Sequence, residues 1–166
     1  GYSYQNIDKN KAITAENELR FSQLFGLSES LYLFIDNEDS KQSLGNLYFQ
    51  AWPFMHQRKH PQDIVGTFEQ YEKALAYDSS LKMQAAIGNE LFVTLFENGQ
   101  KAEALHVIRM AIVEAESLED SDEKHFLLSS LYDNYAGCLM DPEMLNLEEA
   151  QIYMEKNMVY ASKRKL

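Results

Sequence analysis

One cysteine, three prolines and seven glycines in 166 residues leave this chain few means of cross-linking, kinking or turning tightly. Cys138 has no partner with which to close an internal disulfide, so no disulfide framework holds the fold. It sits in the apolar stretch Tyr135–Met140 and reads as a buried structural thiol. All-β sandwiches and barrels need turn residues about every 8–12 positions, and this supply of Gly and Pro is too small for them. The longest unbroken apolar run, Leu31–Ile35, falls far short of the ~20 residues that cross a bilayer, which excludes direct membrane insertion. Bases are also scarce. Fifteen Lys and Arg stand against twenty-six Asp and Glu, a net charge of −11, and a field of that sign repels nucleic-acid phosphates and anionic lipid headgroups.

What the chain does have is an ordinary globular share of apolar residues, 45%, which argues against disorder. A single domain of this length buries about 68–70% of the surface its unfolded form exposes. The chain opens on Gly, which points to a trimmed start. A cytoplasmic location is slightly favoured, and an extracytoplasmic one stays open.

Apolar spacing is helical nearly throughout and predicts seven helices. The first runs from Thr14 to about Asp36, with Gly26 a potential break, and the polar run from Asn37 to Gln42 separates it from a second over about 40–56. His60-Pro61 opens a third over about 61–77, because Pro suits a first helical turn. Ser79 and Ser80 cap a fourth, about 81–97, and Asn98-Gly99 stops it, with Gly supplying a left-handed cap. A fifth spans about 100–117. Acids at Asp120, Asp122 and Glu123 favour the start of a sixth, about 122–140. Asn146 and Glu149 have the spacing of a capping box and open the seventh, about 147–163. No strand is expected.

Alternate helices resemble one another. The pairs Leu44-Gly45, Ile87-Gly88 and Tyr135-Ala136 are each followed by Tyr48, Leu91 or Leu139. The helices between carry a second stripe: Thr67, Tyr71, Ala74; Ala104, Ile108, Ala111; Ala150, Met154, Asn157. A small residue lets two helix backbones approach, and the large one fills the space beside it. Over about residues 40–163 this pattern resembles the tetratricopeptide repeat, most closely in Phe68–Leu75 and Gly99–Leu105. Spacings of 37 and 46 residues (67 to 104, 104 to 150) exceed that family's unit of about 34. Its terminal Pro and first-helix Trp are missing, and Asn157 stands where Ala is usual. The resemblance implies an all-α, right-handed superhelical stack of antiparallel helix hairpins, an α-solenoid. It would form one domain over 1–166, with hairpins at 40–78, 81–117 and 122–163 following an N-terminal segment and helix at 1–39.

In such proteins the first helix of each hairpin lines a concave groove. The resemblance places Asn46, Asn89 and Gly137 there, with Phe49, Phe92 and Met140 three residues on. An amide suits the backbone of an extended peptide because it both donates and accepts. The alternative is that the Asn are polar surface and the Phe pack between helices. Members that clamp a terminal carboxylate add Lys and Arg, but here those positions hold Gln42, Ala85 and Asp133, with Lys82 alone nearby. A neutral or basic peptide is therefore expected before an acidic one.

Other chemistry is thin. His56 and His60 are spaced to share a metal on a helix, yet no further ligand adjoins them and a solvated helix end is the simpler reading. The acids from Asp36 to Asp39 lack the Gly and terminal Glu of a calcium loop. His106 and His125 are isolated. No phosphate-binding glycine loop or nucleophile elbow occurs. The expectation is a non-catalytic interaction scaffold without cofactor or metal. A sensory or regulatory module of a longer signalling or transcription-regulating protein is the alternative, and a metal-dependent hydrolase the remote one. Met140, Met144, Met154 and Met158, on and between the last two helices, read first as core filling and second as an adaptable binding surface. The absence of a polar closing helix leaves the C-terminal hairpin to be shielded by a following segment, another repeat or self-association.

Overall fold

The protein is described by a computed structural model that gives the backbone of residues 4–163 and the side chains of residues 15–163. Among the described residues the chain is all-α. Its seven helices are α1 (Tyr4–Ile35), α2 (Glu38–Trp52), α3 (Ile64–Tyr77), α4 (Leu81–Glu97), α5 (Lys101–Glu116), α6 (Asp122–Leu139) and α7 (Leu147–Lys163). The chain divides into two compact units, residues 1–78 and 79–166.

Three helices depart from their expected limits, each for a local reason. α1 starts at Tyr4 rather than Thr14 and runs through Gly26 without a break. Phe21 against Phe54 (centroids 5.6 Å apart) and Phe25 against Tyr48 (6.1 Å) hold it before that glycine, and Glu29, which accepts from the Tyr48 hydroxyl at 2.8 Å, holds it after. α2 ends at Trp52, because Pro53 has no N–H and its ring excludes the preceding carbonyl of an α-turn. A five-residue π-helical turn, Pro53–Gln57, follows, closed by the Arg58 N–H donating to the Pro53 carbonyl at 3.1 Å. α3 then begins at Ile64 and not at Pro61, since Asp63 is the cap: its Oδ1 accepts the Gly66 N–H at 2.8 Å.

In the first unit α1 packs on α2 and α2 on α3. The joint between α1 and α2 takes two residues. Asp36 adopts the left-handed region (φ 48°), and Asn37 exchanges hydrogen bonds with Ser40 in a capping box, both 2.8 Å. The core consists of Leu44, Tyr48 and Ala51 against Thr67, Tyr71 and Ala74.

In the second unit α4 packs on α5, α5 on α6, α6 on α7, and α4 also reaches α6. α4 ends as expected. Gly99 is left-handed (φ 80°), and the Gln100 N–H reaches back to the Leu95 carbonyl (2.9 Å) while the Gly99 N–H reaches Phe96 (3.1 Å). Ser80, Ser121 and Asn146 cap α4, α6 and α7 through their side chains. Ala104, Ile108, Ala111, Leu128, Leu131 and Tyr135 form the core.

One contact occurs in both units. A β-carbon on Gly45 would stand 2.9 Å from the Asp78 β-carbon and 3.0 Å from the Ala74 carbonyl oxygen, and one on Gly88 would stand 2.8 Å from the Ala111 β-carbon. In each case the small residue of one helix meets the last small residue of the next helix's stripe. Gly88→Ala is therefore expected to destabilise by about 1–3 kcal/mol through overpacking, despite a gain of up to ~1 kcal/mol in helix propensity. In urea titrations the double variant Gly88→Ala/Ala111→Gly should exceed the sum of its single variants by about 1 kcal/mol. Simple additivity would refute the contact.

Candidate functional site

The five residues expected to line a groove fall in different units. Asn46 and Phe49 lie on α2 in the first. Asn46 is exposed, while Phe49 is half-buried with its ring 5.4 Å from that of Tyr71. Lys82, Asn89 and Phe92 lie on α4 in the second. Lys82 is exposed and pairs with Glu123 in the first turn of α6.

Asn89 is 7% exposed. Its Nδ2–H donates to Ser130 Oγ (2.9 Å), and its Oδ1 accepts from Asn134 Nδ2–H (2.8 Å). The amide thus ties α4 to α6, leaving one N–H and one lone pair. Phe92 is 5% exposed and packs beside Phe96. Ala85 is fully buried and lines nothing open, whereas Gly137 and Met140 are exposed on α6. Beside Asn89, burial pushes the Glu90 carboxyl up from its ordinary value.

The two histidines after α2 form a stack. Trp52 lies 4.4 Å from His56, and His56 lies 4.5 Å from His60, with rings tilted about 30° from one another in each pair. His56 Nε2 is 2.6 Å from Asp63 Oδ2. The Gly66 N–H and then His56 hold the Asp63 carboxyl below the usual carboxylate range. The three tilted rings pack in a row that braces the turn. Among the described residues no group of three or more His, Cys, Asp or Glu is placed to hold a metal. Cys138 is buried, and that burial pushes its thiol up, away from a reactive thiolate.

An aromatic cluster between α6 and α7 was not expected from the sequence. Tyr135 and Tyr153 meet edge to face at 4.6 Å, and Tyr132 lies within 5.7 Å of both Tyr153 and Tyr160. Lys156 sits over Tyr153 at 4.7 Å. Arg109 Nε–H donates to the Tyr135 hydroxyl (2.9 Å), which donates to Glu149 (2.5 Å). Burial, then the Glu149 bond, pushes the Tyr135 hydroxyl up to about 12. The spacing of Tyr132 with Tyr135, and of Tyr153 with Tyr160, was the available signal.

No family model, curated protein or solved structure matches this chain. The arrangement itself must therefore indicate what the protein can do. It offers exposed amides, aromatic edges and apolar side chains. Its single thiol is buried and kept protonated.

Two carboxyls give opposite pH responses. Asp141 is held below its ordinary 3.8 by the Glu143 N–H and by Lys101, so its contribution exists above that value and is lost as pH falls through its lower folded pKa. Asp141→Asn should lower Tm at neutral pH, with a deficit that closes in acid. Glu90 is raised by burial, so its charge destabilises the fold at high pH. Glu90→Gln should raise Tm at about pH 8 and leave it unchanged well below the ordinary 4.5. Thermal melts across pH check both signs.

Proposed function

We propose that this chain is a non-catalytic protein-interaction scaffold built from helical hairpins of the tetratricopeptide type. It would bind a peptide or partner helix on the exposed faces of its first helices, α2 in the first unit or α4 and α6 in the second. The observation that supports this reading is the close approach of a glycine to the end of the next helix's small-residue stripe in two helix pairs, Gly45 near Ala74 and Asp78 and Gly88 near Ala111. Repeats of this kind place side chains at regular intervals along a surface, which suits recognition of an extended segment.

Asn46 on α2 and Gly137 and Met140 on α6 are the open positions of that set, and Asn89 supports it from within through Ser130 and Asn134. A net charge of −11 steers neutral or basic segments in and acidic ones away. A regulatory module of a longer signalling protein is the second reading. It is favoured by the open apolar face of α7, where Leu147 is 61%, Met154 49% and Met158 71% exposed, a surface suited to an adaptable partner.

Photo-crosslinking tests the first reading. Benzoylphenylalanine at Asn46 or Met140 should capture one protein or peptide partner from native extract. The same group at Val65 or Val113, exposed on α3 and α5, should not. Adducts formed only from Val65 or Val113 would move recognition to the second helices and overturn the proposal.

A further inference from the structure

Among the described residues α1 carries two apolar faces, and one of them is packed. Phe21, Phe25 and Glu29 face the packed side, meeting Phe54, Tyr48 and the Tyr48 hydroxyl, which donates to Glu29 at 2.8 Å. Leu24, Leu27, Leu31 and Phe34 follow one another by three and four positions along the other side. They are 62%, 70%, 54% and 88% exposed. This is the spacing of a two-helix seam. Glu29 is the only charge between Arg20 and Asp36, and it is engaged on the packed face.

We propose that this stripe is a self-association surface and that its occupant is the same stripe of a second copy, paired antiparallel. A twofold axis through the helix near residue 29 sets Leu24 against Phe34 of the second copy and Leu27 against Leu31 of the second copy. The apolar set is thereby self-complementary, as an isologous contact requires. The ends select the direction. Arg20, which also holds Glu16 at 2.8 Å, stands at one end of the stripe, and Asp36, Glu38 and Asp39 stand at the other, where no base adjoins them before Lys41. Antiparallel pairing brings Arg20 to Glu38 of the second copy, whereas parallel pairing sets acids against acids. Gly26, Ser28 and Ser30 flank the seam with small side chains, and a β-carbon on Gly26 would meet nothing within 4 Å. With ~100 Å² or more open on each of these side chains, two stripes bury on the order of 1,000 Å², the lower end of what a specific interface needs. A dimer with a Kd in the micromolar range follows.

Sedimentation equilibrium of the full chain from about 5 to about 200 µM tests this. Wild type should pass from monomer to dimer. Leu27→Glu and Leu31→Lys should each raise Kd at least ~10-fold with unchanged helical circular dichroism, because both positions are exposed. Combined in one chain, the two substitutions face each other across the axis and should restore most of the affinity. A wild type that stays monomeric at the highest concentration would overturn the proposal and leave the stripe to another segment or partner. A dimer indifferent to both single substitutions would overturn it in favour of another face. Loss in the single variants without recovery in the double would overturn the antiparallel register.

Discussion

The approach of one helix backbone to another at a residue without a side chain sets the rest of this structure. At Gly45 and Gly88 a methyl group would collide with the facing helix, at Ala74 and Ala111 respectively. Closing that gap brings Leu44 and Ile87 into full burial and lets Tyr71 and Ile108 fill the space alongside. The α6–α7 pair is held differently. Asn157 occupies the place of the last small residue, and its Oδ1 accepts the Ser129 hydroxyl at 2.7 Å. Met154, the counterpart of buried Tyr71 and Ile108, is half exposed. Stacked tyrosines and the Arg109–Tyr135–Glu149 chain take over the work of small-residue packing.

That contact also explains which parts of the fold could be read from sequence. The ends of α4 through α7 lie within a residue of the expected limits because caps and stops are local: Ser80, Ser121 and Asn146 bond backbone three residues on, and Gly99 turns left-handed on its own account. The region from 53 to 63 was misread for the same reason. His60-Pro61 looked like a helix start, but Pro53 had already diverted the chain into a π-turn and Asp63 offered a better cap. The inserted turn accounts for the long separation of Leu44 from Thr67. Gly26 misled in the opposite direction, because tertiary contacts by Phe21 and Phe25 outweigh its weak helix propensity.

The candidate site was legible as residue types and not as partnerships. Sequence spacing places Asn89 on a first helix, but the amide's bonds to Ser130 and Asn134 span 41 and 45 residues, and no local pattern encodes them. The same holds for His56 and His60. Four residues apart they can share an ion, yet Trp52 and Asp63 hold them as a stack. Lys82 alone lies near a clamp position of the resembled family, and the chain itself supplies Glu123 as its acid. In each case the polar group has a partner that local spacing does not reveal.

The open apolar faces at α1 and α7 differ in a way that bears on what each suits. The α1 stripe is branched Leu with one Phe on a stretch whose sole charge points inward, with the Arg20–Glu16 pair at one end and acids at the other. Such a surface fits a partner of the same length and rigidity, and a second copy meets that description. The α7 face combines Leu147 with flexible Met154 and Met158 and has Glu148, Glu155 and Lys156 close by. Methionine adapts to irregular partners and specifies no single geometry. Two identical copies of an acidic chain repel at long range, so self-pairing is best placed where local charge is least, and that place is α1.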